Sequence, residues 1–165
     1  MDGSEKLIPL TRGQFAAVDA CDYDWLMQFK WCASRHGRGW RAVRSVRVDG
    51  IMKSIHMHRV IFGATAGQIV DHINRNPLDN RRSNLRLCTR SENARNSIPR
   101  ASASSKYMGV HWDGSRKNWR AHIRLNGKTV HLGRYQLEED AARAYDCAAR
   151  KHYGEFASPN FELSI

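Results

Sequence analysis

Asn126-Gly127 leaves the chain around it little conformational choice. The dipeptide is flanked by WRAHIRL and KTVHL, and both of its residues tolerate the positive φ of a two-residue type I′ turn. Residues 119–132 are therefore predicted to form an antiparallel hairpin. Pairing across the turn sets Ile123 beside Val130 and Ala121 beside Leu132 on one face. Arg124 and Thr129, then His122 and His131, fall on the other, joined by Arg120. One face is apolar, the other basic and polar. Leu137 to His152 follows as an amphipathic helix, with Ala141, Ala144, Tyr145 and Ala148 as its apolar stripe. Glu138, Glu139 and Asp140 occupy the first turn, where the helix dipole favours acids.

Charge is segregated across this module. Lys106 to Arg134 holds seven Lys or Arg against Asp113 alone, whereas Leu137 to Glu155 holds three against five acids. A merely solvated surface gives no reason for the sheet alone to be basic. Double-stranded DNA does, since a β-ribbon fits its major groove. The whole chain of 165 residues carries a net charge of +11, which favours a polyanionic partner. No apolar run is long enough to span a membrane, and MDGSEKLIPL lacks a signal-peptide layout, so no membrane partner and a cytoplasmic location are expected. Cys21, Cys32, Cys88 and Cys147 are far apart and form no CxxC pair. No structural zinc is expected, and the four read as small apolar or semi-buried residues.

Composition divides the chain at SIPRASASS, which reads as a linker over 97–104 between domains at 1–96 and 105–165. In the first domain, residues 7–18 read as an entry strand or hairpin. Asp22–Lys30 reads as a helix, and SRHGRG as a turn. Residues 40–62 read as strands joined at Asp49-Gly50. Arg41, Arg44 and Arg47 fall three apart, so the three do not share one strand face, and solvation serves them as well as DNA contact.

Residues 70–96, VDHINRNPLDNRRSNLRLCTRSENARN, carry the chemistry. An apolar approach delivers Asp71 and His72 at a strand end, a polar turn-rich loop follows, and Leu85–Cys88 is a short strand. Thr89 and Glu92 form a capping box, so a helix begins after Thr89 and presents Asn93 in its first turn, where it can face His72. The core of this strand, strand, helix-start unit is about 68–96. Phosphodiester hydrolysis needs an activated water and a cation for developing charge. An imidazole with an ordinary pKa of roughly 6.5 suits a general base. Asp71 and Asn93 offer the hard oxygens that one Mg²⁺ or Mn²⁺ prefers, and no small-molecule cofactor is called for. Arg75, Arg81, Arg82 and Arg86 make the loop basic and are candidates for phosphate contact. His56 and His58 alternate in IHMH; a structural role is the ordinary reading, and reaching the site is the alternative for His58.

DHINRNPLDNRRSNLRLCT, with Asn84 and Asn93 following His72, resembles the HNH endonuclease motif, closest to its zinc-free phage and intron-encoded branch. MHRVIFG and LIPLTRGQFAAVD resemble the N-terminal part of the same proteins. The resemblance implies an α+β chain whose N-terminal domain is a ββα-metal (His-Me finger) nuclease. It also implies that His72 activates water, Asp71 and Asn93 bind the metal, and Asn84 pins the loop. YMGVHWDG, LGRY and AARAYDCAARKHYG resemble the ethylene-response-factor (Apetala-type) DNA-binding domain, three strands over one helix, across nearly all of 105–161. That family reads DNA with Arg and Trp on the sheet. The DNA-binding candidates here are His111, Trp112, Arg116, Trp119, Arg120, His122, Arg124, Thr129 and His131. Met108 replaces the usual Arg before Gly-Val, and His111 and His131 stand where the plant proteins carry Arg and Trp, so the plant target sequence does not transfer.

The combined expectation is a metal-dependent DNA endonuclease of the homing type. Its rivals are a DNA-binding regulator with a degenerate nuclease motif and an RNA-binding or RNA-processing factor. A double-strand break would take two sites, hence a dimer or successive nicks.

Overall fold

A computed structural model of the chain describes residues 4–37, 39–96 and 103–162. Contacts divide it into two compact units, Met1–Asn93 and Ala94–Ile165. The architecture is mixed α/β, dominated by short antiparallel sheets. Most of the linker read at 97–104 lies outside the described residues.

In the first unit, β1 (Glu5–Pro9) and β2 (Phe15–Asp19) form a hairpin, followed by α1 (Ala20–Leu26). The helix is shorter than its apolar spacing suggested. Its last carbonyl, on Leu26, accepts from the indole N–H of Trp31 at 2.9 Å, which spends that aromatic on terminating the helix. Strands β3 (Cys32–His36), β4 (Gly39–Val48) and β5 (Ile51–His56) make an antiparallel sheet in that order. Most of the expected SRHGRG turn is thus strand. Asp49 and Gly50, at φ 52° and 77°, make the type I′ turn as expected.

The strands expected through residue 62 stop at His56. Met57–Phe62 is instead a one-and-a-half-turn helix, α2, that buries Met57, His58 and Ile61 at i, i+1, i+4. Gly63 ends it at φ 71°, its N–H bonding Val60 and that of Ala64 bonding Arg59. β6 (Ile69–His72) and β7 (Leu85–Cys88) then pair antiparallel, with α3 (Arg90–Arg95) after them. The core beneath is Ile8, Val18, Leu26, Trp31, Met57, Ile61, Val70 and Leu85. Burial of each large aliphatic is worth about 1.5–3 kcal/mol.

In the second unit, β8 (Val110–Asp113), β9 (Asn118–Leu125) and β10 (Lys128–Tyr135) form a sheet ordered β10-β9-β8, with α4 (Glu138–Tyr153) on one face. Asn126 and Gly127 take φ 48° and 78°, as a type I′ turn requires. Ile123 faces Val130, but a bulge between His131 and Gly133 shifts the register, so Ala121 pairs with Gly133 rather than Leu132. The helix buries Ala141, Ala142, Tyr145, Asp146, Ala149 and Tyr153. Its apolar stripe is therefore rotated from the expected one, leaving Ala144 and Ala148 at the margin. Buried Asp146 accepts from the backbone N–H groups of Asn160 and Phe161, at 2.7 and 2.9 Å, and so pins the tail to the helix. Among the described residues, no helix is long and apolar enough to cross a membrane. The four cysteines are free thiols; Cys32 and Cys88 are half-buried as expected, whereas Cys21 and Cys147 are exposed.

Candidate functional site

The loop between β6 and β7 is built around Asn84. Its side-chain oxygen accepts from the Asn74 N–H at 2.9 Å, and its amide donates to the Asp79 carbonyl at 2.7 Å. Asn74 donates in turn to the Asp79 carboxylate at 2.8 Å, and its own oxygen accepts from the Asn76 N–H. These are the local backbone-mimicking bonds for which Asn and Asp are favoured in turns. The loop is also stitched to β2. Ala17 donates to Leu78, and Asn80 donates to Ala17, at 2.8 and 2.7 Å. Buried Asp79, Asn80 and Asn84 therefore form a rigid plate behind the end of β6.

That end holds Asp71 and His72, both buried. His72 Nε2 lies 3.4 Å from the Asn80 oxygen. Asn80 donates its amide to the Leu78 carbonyl, which fixes that oxygen as an acceptor, so Nε2 carries the proton and Nδ1 is the basic nitrogen. Burial lowers the His72 pKa, opposed by the Asn80 bond and the Asp71 charge. A depressed pKa keeps the ring neutral near pH 7, the state a proton acceptor needs. On the next strand Arg86 faces Asp71, Nη2 to Oδ2 3.2 Å, as cross-strand partners.

Asp71, His72 and Asn93 line one polar cleft of about 250 Å³, together with Arg41, His56, His58 and Arg59. Asn93 reaches it because the Thr89–Glu92 cap forms as the sequence indicated. The Thr89 N–H donates to the Glu92 carboxylate at 2.7 Å, and the Glu92 N–H to the Thr89 hydroxyl at 3.2 Å. Strand spacing does not decide Arg41 and makes reaching the site only an alternative for His58; α2 brings His58 to a ring-centroid distance of 4.9 Å from His72. No local spacing signals that approach. Arg59 is spent elsewhere, donating to the Thr65 and Gln68 carbonyls and holding the loop before β6.

Burial, then the neighbouring His72, His56, Arg41 and Arg59, push the His58 pKa down to about 3. The unfolded chain takes up this proton near pH 6.5, whereas the folded chain refuses it until about pH 3. The stability His58 contributes is complete above pH 6.5 and is lost as pH falls through that window, at up to about 1.4 kcal/mol per pH unit. The His72 shift acts in the same direction. Urea unfolding of the full chain at pH 7, 6, 5 and 4 is expected to show this loss, shallower in His58→Gln. Equal slopes in the two proteins would remove His58 as its source.

The loop arginines divide. Arg81 pairs with Asp79 at 2.6 Å and Glu5 at 3.2 Å, while Arg82 grips buried Asp22 through Nε and Nη2 at 2.7 and 2.8 Å. Arg75 sits in the loop at φ 63°. On the C-terminal sheet, the register puts His111, Arg120, His122, Arg124, Thr129 and His131 on the face away from α4, and adds Arg134, which the sequence reading did not single out. His111 and His122 approach to 3.3 Å between Nδ1 atoms, and buried Arg120 Nε has no hydrogen-bond partner among the described residues. Trp112 and Trp119 fall on the opposite face. They stack edge-to-face at 5.1 Å, and Trp119 packs on the helix-side core while Trp112 stays 42% exposed. Arg116 lies in the β8–β9 turn.

A family model described as HNH endonuclease matches residues 56–95, the segment that builds this cleft. An uncharacterized HNH endonuclease of Acanthamoeba polyphaga mimivirus is 33% identical over 155 residues, 90% of this chain and 76% of the viral protein. This chain belongs to the HNH endonuclease family. A second model, described as AP2 domain, matches residues 105–155, so this HNH endonuclease carries a C-terminal AP2 domain. Protein 3.8 of Escherichia phage T7 is 34% identical over 91 residues, 55% of this chain and 74% of the phage protein. APETALA2-like protein 2 of Oryza sativa is 46% identical over 63 residues, 38% of this chain and only 14% of the plant protein. The enzyme is thus a DNA-binding nuclease built from two families' modules.

Arg41, a cation of β4 that the family match does not reach, completes the cleft wall. Among the described residues, no cluster of three or more His, Cys, Asp or Glu is placed to hold a metal. Beside its three imidazoles the cleft holds one carboxylate, Asp71, and the side-chain amides of Asn93 and Gln68, the Gln68 oxygen already accepting from the Thr65 N–H. That set suits a hard cation that keeps most of its water and binds through few protein ligands.

Proposed function

We propose that this HNH endonuclease is a metal-dependent enzyme of the homing type that hydrolyses duplex DNA in the Asp71–His72 cleft. The observation that carries the reading is His72 itself: buried, neutral at physiological pH, and held with its basic nitrogen defined by Asn80. In this reading β6, β7 and α3 form a ββα-metal unit. His72 Nδ1 accepts the proton of the attacking water, and Asn84 acts through the loop, keeping His72 aimed. Asp71 and Asn93 would hold one Mg²⁺ or Mn²⁺, which when bound would supply positive charge for the phosphate and the departing oxygen. Arg86 holds Asp71 in place, and Arg41 adds a cation to the same wall.

The nuclease unit, ending near residue 96, is delivered by the AP2 unit from about residue 105. His111, Arg120, His122, Arg124, Thr129 and His131 face the duplex there. Arg75 stays a candidate for phosphate contact, while Arg81 and Arg82 spend much of their charge on Asp79 and Asp22. A phage or intron origin and a cytoplasmic site of action belong to the same proposal.

Nicking of supercoiled plasmid tests it. Purified protein is expected to nick with Mg²⁺ or Mn²⁺, to stop with EDTA, and to resume when metal is restored. Binding without nicking in either metal would favour the regulator. Stronger competition by RNA than by duplex DNA would favour the RNA-processing reading.

A further inference from the structure

The β4–β5 ribbon extends well beyond what the core needs. Past the Val43–His56 pair it continues five residues to Val48–Ile51, roughly 17 Å at about 3.4 Å per residue. Ser45, Arg47, Lys53 and Ser54 are exposed on it, and the tip carries Val48, Ile51 and Met52 at 39%, 65% and 59% exposure. Arg44 stays at the base, its guanidinium 3.8 Å from the Phe29 ring. Register then sorts the faces. His56, Ser45 with Ser54, and Arg47 with Met52 share one face, and Arg41 continues it inward along β4. Two of those residues, Arg41 and His56, line the catalytic cleft. One face of the ribbon therefore runs out of the cleft as a hydroxyl pair, then a guanidinium beside a thioether.

We propose that this ribbon is a DNA-reading arm that lies in the major groove beside the cut. The inference rests on the nuclease reading of the cleft and goes beyond it by assigning a second docking surface inside the nuclease unit. Three observations fix the occupant as duplex DNA. The arm is continuous with the cleft, so DNA entering one meets the other. Its outward cations, Arg47 on the face that continues the cleft and Lys53 on the opposite one, outnumber its single acid, Asp49, and neither is ion-paired among the described residues. Its shape also matches: the major groove, about 12 Å wide, admits a two-stranded ribbon, and 17 Å spans about five base pairs at roughly 3.4 Å each. The exposed thioether then has a use in water-exposed protein, because Met52, beside Arg47 on the face that continues the cleft, can contact a thymine methyl group.

The experiment uses the full chain carrying His72→Ala, so that duplex containing the mapped nick site stays intact, with a photo-crosslinker at Met52. Crosslinks are expected within about five base pairs of the nick, with protection of guanine N7 from dimethyl sulfate over the same stretch. Arg47→Ala should remove that protection and lower the log–log salt slope of binding by roughly 0.9, the share of one phosphate contact. Arg47 is exposed, and a melting temperature equal to that of the parent chain shows that the variant is folded. Absent crosslinks with an unchanged slope would overturn the proposal and leave the arm to a protein partner. If the wild-type chain nicks no duplex, the nuclease reading fails, yet crosslinking to bound duplex still decides the arm.

Discussion

His72→Ala is expected to lower the single-turnover nicking rate by between about 10²-fold and 10⁴-fold while leaving duplex affinity within about threefold of wild type. The split follows from position. His72 is buried at the strand end, 8% exposed, and offers the duplex little surface. Affinity comes instead from phosphate contacts made by exposed cations. Removing the ring leaves a cavity beside Asn80 and His58, so the melting temperature should be measured alongside. His72→Gln keeps much of the volume without a basic nitrogen and separates chemistry from packing. Rates equal to wild type in either variant would take His72 out of the mechanism.

Gly109→Ala should unfold or severely loosen the AP2 unit. Gly109 sits at φ 72°, and a Cβ there would fall 2.0 Å and 2.6 Å from Tyr145 ring carbons and 2.7 Å from the His122 carbonyl oxygen. Tyr145 is a buried anchor of α4 and cannot swing away. Left-handed strain and overpacking together cost on the order of 3 kcal/mol or more. Gly114→Ala is the control, since its nearest contact is an ordinary 3.9 Å and its φ is unremarkable for any residue. Hydrogen exchange should show protection lost in β9 and α4 for Gly109→Ala alone, with weakened DNA binding. Normal protection in that variant would mean that the Tyr145 packing is softer than the geometry implies.

What could be read from the chain depended on distance along it. The Thr89–Glu92 cap and the Asn126-Gly127 turn were legible because each is a local bond pattern with one strongly preferred geometry. Asn84 was legible only through its motif, since its bonds to Asn74 and Asp79 are made within a short loop. α2 was not. Its β-branched Val60 and Ile61 and the alternating histidines mimic a strand, and tertiary burial of Met57 and Ile61 decides otherwise. Gly63 was the available signal. The bulge beside Leu132 also had one, because a glycine inside a strand pattern, Gly133, often marks a bulge. The Arg82–Asp22 pair spans 60 residues and had no signal at all. For the same reason a basic segment looked like four DNA contacts when three of its arginines, Arg81, Arg82 and Arg86, face carboxylates of their own unit.

Nicking carried out in ¹⁸O-water identifies the nucleophile. If water deprotonated in the Asp71–His72 cleft is the nucleophile, one ¹⁸O atom enters each newly formed terminal phosphate, with metal present and not in EDTA. DNA ends that stay covalently joined to the protein after denaturation, terminal phosphates without label, or no nicks at all would contradict attack by cleft water.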